Sequence, residues 1–304
     1  MSVASASMTA PRLAGPLLML AASALIAVTS LIAKMLGQDG FGPPLHPLQV
    51  SAGRFVFAWC TLVPVMLAMR PGFAGASWSL HVGRTLCGWG GVSCMFAAAA
   101  RMPLADATAI SFLAPMVSMV LAVVILAERV GPWRWGAAAI ALAGALLLIR
   151  PGTEAFRPVA LVALASAALM GLEMVLIKRL SGREPPIRIL FVNNSIGAAV
   201  GLSAASFVWI WPTPEQWPLL VALGMVMVTA QTCFVQAMKR GDASYVAPFF
   251  YATLVFASLY DLVLFGVIPV PLSIAGAALV LTGAIVLAWR ENRRPAPAPV
   301  AAPD

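Results

Sequence analysis

Three ionisable residues lie inside long apolar stretches of the sequence. Arg54, Glu173 and Asp261 occupy three separate stretches of this kind. A charged side chain within a bilayer is costly, and it is usually retained to bind a substrate or ion or to pair with an opposite charge. Arg54 is therefore a candidate contact for a carboxylate-bearing substrate, or one partner of a structural ion pair. Glu173 and Asp261 are candidate proton-coupling acids, although Glu173 can instead extend toward Lys178.

Neutral polar and aromatic residues in the same stretches form a second set of candidates. Amide side chains within a helix either hydrogen-bond to a neighbouring helix or line a wet cavity. Aromatic rings can stack on a flat heteroaromatic ligand, or they can be ordinary packing residues. With the arginine included, the candidate substrate-binding residues are Arg54, Trp59, Trp89, Phe112, Asn193, Gln231, Phe250 and Tyr251.

Signatures of metal, nucleotide and catalytic sites are missing from the sequence. The 4 cysteines lie in apolar stretches without the spacing of metal ligands, and His46 and His81 are expected in loops without a special role. No GxxxxGK[ST] phosphate-binding loop occurs. We therefore expect no metal, no cofactor and no enzymatic activity. A membrane-embedded enzyme and a channel remain the alternatives from other classes.

Membrane-spanning helices are the elements that must position these residues. Hydrophobic residues make up 61% of the 304 residues and charged residues only 10%, whereas soluble domains average about 25% charged residues. About 20 apolar residues in a helix cross the hydrocarbon core, and a helix satisfies its own backbone hydrogen bonds there. The apolar pattern predicts ten spans, at residues 14–36, 48–69, 82–100, 105–127, 132–149, 158–177, 187–211, 218–238, 243–264 and 270–289.

The positive charges predict the orientation of these spans. Most of the 19 Lys and Arg residues, Arg84 among them, fall on one side if the N-terminus is inside, and positively charged loops remain cytoplasmic. Both termini are therefore expected in the cytoplasm, with the first apolar stretch retained as a helix. The net charge of +8 is spread over short loops and builds no basic face, so the expected partners are the lipid bilayer and a small-molecule substrate, without nucleic acid. Oligomeric state is left open.

The two halves of the chain resemble each other. Residues 21–36, AASALIAVTSLIAKML, align with residues 165–180, ASAALMGLEMVLIKRL, and Asp106 and Asp242 open the fourth and ninth spans in similar contexts. Because each half holds five spans, equivalent helices must cross in opposite directions, as in the inverted repeats of alternating-access transporters. The predicted divisions are a cytoplasmic N-terminus at 1–13, repeats at 14–150 and 151–290, and a disordered cytoplasmic tail at 291–304.

Two segments of the sequence carry a family resemblance. Residues 100–152, ARMPLADATAISFLAPMVSMVLAVVILAERVGPWRWGAAAIALAGALLLIRPG, and 241–283, GDASYVAPFFYATLVFASLYDLVLFGVIPVPLSIAGAALVLTG, resemble EamA-type members of the drug/metabolite transporter superfamily. The resemblance covers residues 14–290. It implies ten helices, both termini inside and a central cavity between the halves. Members often end the penultimate helix with an acid. This chain has Val267 there, whereas Glu128 keeps the equivalent acid in the first half.

The resemblance implies a multi-pass secondary transporter of the inner membrane that moves a small metabolite by alternating access. The similarity of the ninth span to members linked to riboflavin and S-adenosylmethionine favours a riboflavin- or nucleoside-like compound. Export of amino acids or drugs is the alternative within the family. Near the inner gate we expect Glu128 to pair with Arg129, and we expect Asp106 and Asp242 to cap helices. Pro115 and Pro248 are expected to interrupt helices.

Overall fold

The computed structural model describes residues 13–99, 110–149, 158–266, 268 and 270–292, and all regular elements in these ranges are helical. Asp106, Val267 and the tail beyond residue 292 therefore lie outside the described residues. In chain order the helices are α1 (Ala14–Leu36), α2 (Pro47–Met69), α3 (Trp78–Ala99), α4 (Ala114–Leu126), α5 (Pro132–Ile149), α6 (Ala160–Ser181), α7 (Pro186–Ala205), α8 (Gln216–Arg240), α9 (Ala243–Val246), α10 (Ala252–Phe265) and α11 (Pro271–Asn292), with a 3₁₀ segment Ala247–Tyr251 between α9 and α10.

Eight helical segments among the described residues are long and apolar enough to cross a membrane. They are α1, α2, α5, α6, α7, α8, the continuous segment Ala243–Leu264 and Pro271–Arg290. Helix α4 is apolar but has only 13 residues, and α3 contains His81 and Arg84. The prediction of an all-helical membrane protein is confirmed. Helix α3 begins four residues before the predicted start of its span, and its polar residues His81 and Arg84 are buried.

Several helices begin at residues that cannot continue a preceding helix. Proline occupies the first turn of α2, α4 and α7, where a missing N–H costs no hydrogen bond. Pro115 lies at a helix break, as expected: residues 110–111 are helical, residues 112–113 form a turn, and α4 begins at Ala114. Pro248 also lies in an interruption, the 3₁₀ segment between α9 and α10. His46 is the N-cap of α2, where its Nδ1 accepts a hydrogen bond from the backbone N–H of Leu48 at 3.2 Å.

The closest helix packing joins the first half of the chain to the second. Helix α1 packs on α8, α3 on α6, α2 on α7 and α8, and α5 on α11. Glycines make the close approaches possible: a β-carbon on Gly144 would lie 2.6 Å from the carbonyl oxygen of Gly276, and one on Gly197 would lie 2.4 Å from the ring of Phe55. In the described part of the chain, helices of the same half contact each other much less extensively.

Candidate functional site

Three charged side chains from three helices meet inside the bundle. Arg54 comes from α2, Arg84 from α3 and Glu173 from α6. The Nε of Arg84 lies 3.6 Å from the Oε1 of Glu173, and Glu173 also interacts electrostatically with Arg54. A β-carbon on Gly88 would lie 2.8 Å from both carboxylate oxygens of Glu173, so α3 can approach this carboxylate only with glycine there. We call these three residues the Arg–Glu–Arg cluster.

Arg84 is the charged residue of this cluster that the sequence does not single out. It was counted among the cytoplasmic charges, but its side chain is only 3% exposed and lies against α6. The error came from its position near the start of an apolar stretch, where a positive charge usually marks the membrane edge. One signal was available: Arg84, Gly88 and Gly91 share one face of α3, with spacings of four and three residues, and small residues typically mark a helix interface.

Polar amides continue the site along α7 and α8. The hydroxyl of Thr85 on α3 donates to the Oδ1 of Asn193 at 3.3 Å. The Nδ2 of Asn194 donates to the Oε1 of Gln231 at 2.9 Å, and the Oδ1 of Asn194 is buried without a hydrogen-bond partner. These bonds tie three helices together, and the unpaired oxygen leaves an acceptor inside the bundle. Phe234 follows Gln231 by one turn of α8 and leads to an aromatic cluster.

The aromatic cluster surrounds the 3₁₀ segment. The ring of Phe112 is stacked near Phe250 with 6.1 Å between centroids, and Tyr251 lies 6.3 Å from Phe112. Phe234 meets Phe250 edge-on at 6.2 Å. The carbonyl of Phe249 in the same segment accepts a hydrogen bond from Ser23 of α1 at 3.4 Å. The structure therefore brings together three of the predicted aromatic candidates, from both halves of the chain.

The other candidates lie apart from these two groups. Trp59 packs near Phe191 with a centroid distance of 6.1 Å and is partly exposed. Trp89 is 47% exposed and shares a face of α3 with the exposed Val82 and Leu86, so we leave it out of the proposed site. Asp261 pairs with Lys34 at 2.9 Å, where α1 and α10 end.

A separate groove lies on α7 and the residues that follow it. It has a volume of about 430 Å³ and is lined by the α7 and post-α7 residues Ala199, Val200, Ser203, Ala204 and Phe207. Its lining is mostly apolar, with Ser203 as its polar residue, and carries no charge. It therefore offers no charged group that could bind a charged substrate, and the candidate site is the Arg–Glu–Arg cluster.

Glu128 caps the beginning of α9 across the two halves. Its carboxylate accepts hydrogen bonds from the backbone N–H groups of Ala243 and Ser244 at 2.8 and 3.0 Å, and from the hydroxyl of Ser244 at 2.6 Å. The expected pair with Arg129 is wrong, because these donors take both carboxylate oxygens. Asp242 was expected to cap this helix with its own side chain, but it makes no such hydrogen bond.

Two cations complete the network around α9. Arg134 at the start of α5 donates to the hydroxyl of Ser244 at 2.7 Å and to the carboxylate of Asp242 at 2.9 Å. Asp242 is therefore an ion-pair partner and not a cap. The Nζ of Lys178, near the end of α6, donates to the carbonyl oxygen of Gly241 at 2.5 Å. The α4–α5 connection, α6 and the α8–α9 connection are thus held together on one face of the bundle.

Replacing Glu128 with alanine is expected to lower the free energy of unfolding by about 1 to 3 kcal/mol, because two backbone N–H groups and a hydroxyl lose a charged acceptor. The matched control is Glu215→Ala, since Glu215 is exposed and makes no side-chain cap at the start of α8. Thermal unfolding in detergent compares the melting temperatures of the two purified variants with that of the parent protein. Equal melting temperatures would show that the Glu128 cap does not stabilise the fold.

His81 is a buried residue of α3 and does not lie in a loop, contrary to the sequence expectation. Its Nε2 lies 2.9 Å from the carboxylate of Glu184, which also accepts from the N–H of Ser77 at 2.7 Å. Burial raises the pKa of Glu184, but the hydrogen bonds from Ser77 and His81 and the charge of Arg188 outweigh it, so its pKa is below the usual value. Arg188 also donates to the carbonyl of Gly72, which fixes this corner of the bundle.

Comparison with known proteins gives consistent matches along the chain. The model of the EamA-like transporter family matches residues 13–150 and again 157–289. A protein known from a crystal structure has the same fold, with a TM-score of 0.78 over 92% of this chain and 99% of that chain, at 24% identity.

Curated relatives include proteins with three different cargoes. The S-adenosylmethionine uptake transporter of Rickettsia prowazekii is 26% identical over 83% of this chain and 86% of its own length. The riboflavin transporter of Rhizobium johnstonii is 30% identical over 70% of this chain and 71% of its own length. The pseudopaline exporter of Pseudomonas aeruginosa is 28% identical over 64% of this chain and 69% of its own length. All three are transporters, and they include both uptake and export proteins.

Proposed function

The chain belongs to the EamA-like transporter family, and from this premise we propose that it carries a small metabolite across the inner membrane by alternating access. The relatives named above are transporters and not enzymes, and eight helical segments among the described residues are long and apolar enough to span a membrane. The observation that carries the proposal is the Arg–Glu–Arg cluster. Charges buried between membrane helices are expensive, and they typically mark the path of a substrate or coupling ion.

Helix directions support two halves of opposite orientation, with repeats at 14–150 and 151–290. A β-carbon on Gly15, at the start of α1, would lie 3.6 Å from the backbone nitrogen of Gly241, and Lys178 near the end of α6 donates to the carbonyl of the same residue. Helix α1 thus begins on the face where α6 ends. This contact supports our proposal that the first helices of the two repeats run in opposite directions, as alternating access through inverted repeats requires.

We propose that both ends of the bundle lie on this same face and that this face is cytoplasmic. The guanidinium of Arg290, at the end of α11, lies 3.9 Å from the ring centroid of Trp133, the neighbour of Arg134 in the Glu128 network. The start of α1 and the end of α11 therefore share one side of the membrane. Lys178, Arg134 and Arg290 lie there too, in agreement with the rule that positive charges remain inside.

The proposed substrate site joins the Arg–Glu–Arg cluster to the amides and the aromatic cluster. We propose a riboflavin- or nucleoside-like compound of the S-adenosylmethionine class, because the rings near the 3₁₀ segment can stack on a flat base. Export of amino acids or drugs is the second candidate, favoured by the exporter among the relatives. The proposed contacts are Arg54, Asn193, Gln231, Phe112, Phe250 and Tyr251, with Trp59 at the edge.

Glu173 is the better of the two proposed coupling acids. It lies inside the bundle next to two arginines, whereas Asp261 is 42% exposed and paired with Lys34 where its helix ends. An acid that couples transport must reach both the proton and the substrate, and only Glu173 adjoins the proposed site. Glu128 is proposed as the acid that holds the inner gate closed, because it joins the two halves at the cytoplasmic face.

Counterflow into proteoliposomes tests the proposed function. Vesicles that hold the purified protein are loaded with an unlabelled metabolite mixture, and the uptake of labelled S-adenosylmethionine, riboflavin, nucleosides and amino acids is followed. A carrier is expected to show saturable uptake that is accelerated by internal substrate. Vesicles without protein are the control. Flux that neither saturates nor responds to internal substrate would instead indicate a channel.

A further inference from the structure

The Arg–Glu–Arg cluster has one positive charge more than its acids can balance. Arg54 and Arg84 each carry a permanent charge, and Glu173 is the acid that interacts with both. No other described acid forms an ion pair with either guanidinium. A net positive charge buried in a low-dielectric interior is costly unless an anion neutralises it. A second anionic group would therefore neutralise the excess positive charge of the cluster.

Several hydrogen-bond donors of these arginines are also unused. The Nε of Arg54, and the Nε and Nη1 of Arg84, are buried without a hydrogen-bond partner. Glu173 does not satisfy Arg84, because a distance of 3.6 Å is too long for a hydrogen bond. Buried polar groups are nearly always hydrogen-bonded, so these three nitrogen atoms call for an acceptor from outside the chain. The side chain of Arg84 is only 3% exposed.

The positions of the side chains favour a carboxylate as that acceptor. The N–H groups of a guanidinium donate strong charge-assisted hydrogen bonds to oxyanions, and the free donors belong to two different arginines. The guanidinium of Arg54 is further held over the ring of Phe55, 4.5 Å from its centroid, which restricts its orientation. Such a fixed donor set selects oxyanions over neutral groups of similar size, and the single negative charge of a carboxylate matches the one excess positive charge of the cluster, whereas a phosphate monoester carries more.

We propose that the Arg54 and Arg84 guanidinium groups bind a carboxylate of the transported metabolite. The inference rests on the proposed transport function and narrows its substrate class: the cargo carries a carboxylate in addition to any ring held by the aromatic cluster. S-adenosylmethionine has such a group in its amino-acid portion, and riboflavin has none. Glu173 then competes with the substrate for Arg84, and in a zwitterionic substrate it lies where it can face the ammonium group.

A matched pair of probes tests this assignment. S-adenosylmethionine and its decarboxylated form differ only in the carboxylate, and tryptophan and tryptamine form a second pair. Counterflow in proteoliposomes is measured for both pairs, for riboflavin and, by mass spectrometry, for a whole metabolite extract, which includes phosphate esters. We expect the carboxylate form of an accepted pair to bind about 10- to 100-fold more tightly, since one charge-assisted site is lost without it.

Variants separate a substrate contact from a structural ion pair. Arg84→Gln is expected to remove most of the preference for the carboxylate form, and Arg129→Gln, an exposed cation on the α4–α5 connection, is the matched control without effect. If Arg84 serves only to neutralise Glu173, the double variant Arg84→Gln/Glu173→Gln restores the preference. If Arg84 binds the substrate, the double variant remains defective although its charge balance is repaired. Thermal unfolding of each variant monitors folding.

The outcomes distinguish this inference from the function on which it rests. Counterflow of riboflavin, or of decarboxylated and carboxylate forms with equal affinity, would overturn the carboxylate site and leave the transport function standing. Transport of phosphate esters without any carboxylate would also overturn it and would assign the arginines to phosphate. A carrier that moves no compound of the extract would contradict the proposed transport function itself. Restored preference in the double variant would reduce Arg84 to a structural role.

Discussion

Replacing Glu173 with glutamine is expected to abolish accumulation of substrate driven by a pH gradient while counterflow continues. Glutamine has nearly the same shape and fits beside Gly88, but it can neither gain nor lose a proton. Coupling to one proton at a gradient of one pH unit allows about tenfold accumulation, because one unit corresponds to a factor of ten in proton activity. In the variant the internal concentration should only equal the external one. Uptake into vesicles with an imposed gradient measures this ratio.

Asp261→Asn is the matched control for this experiment. Asp261 is also an acid on a membrane helix, but it is exposed and paired with Lys34 away from the cluster, so its replacement should leave accumulation unchanged. The proton-coupling proposal fails if a variant in which both acids are amides still concentrates substrate in response to a pH gradient. A loss of coupling in Asp261→Asn alone would move the role from Glu173 to Asp261.

Gly224→Leu is expected to prevent correct assembly of the helix bundle. A β-carbon at Gly224 would lie 2.4 Å from the Cβ of Phe57 and 2.6 Å from the backbone nitrogen of Ala58, so α8 and α2 would have to move apart. Backbone atoms cannot rotate away as a flexible side chain can. Inserting even a few extra carbons into a packed core costs about 1 to 3 kcal/mol, and this contact involves the backbone itself, so we expect a loss at or above that range.

Gly136→Leu is the control that separates packing from the loss of a glycine. Gly136 lies in the helical part of α5, and a β-carbon there would meet no atom within 4 Å. Leucine is also a better helix former than glycine by nearly 1 kcal/mol, so this variant should be as stable as the parent or slightly more stable. The two variants are compared by their yield of monodisperse protein in detergent and by their melting temperatures. Similar behaviour of both variants would disprove the tight contact between α2 and α8.

The sequence predicted the helices well because membrane spans depend on local composition. An apolar stretch of about 20 residues has few alternatives to a spanning helix, and most bounds agree within a few residues. Helix α3 was harder to delimit, because His81 and Arg84 resemble the polar edge of a membrane and are in fact buried. Burial of a polar residue depends on the helix that packs against it, which no local pattern in α3 reveals.

The site was predicted in part for the same reason. Arg54 and Glu173 were singled out because a charge in an apolar stretch is visible in one segment alone. Their common neighbour Arg84 was not, since the cluster combines residues from three helices that are far apart in the chain. The partners of Glu128 were also missed: the sequence suggests the adjacent Arg129, whereas the true donors belong to residues more than 100 positions later.

Among the described residues, the long helices pack mainly on helices of the other half of the chain. This arrangement affects how the protein assembles during synthesis. During synthesis the helices of the first half therefore enter the membrane before most of their packing partners, which belong to the second half, have been made. The same arrangement means that a single continuous chain is not required by the contacts themselves. Two separately encoded halves, co-expressed in one membrane, are therefore expected to assemble through the contacts between their described helices.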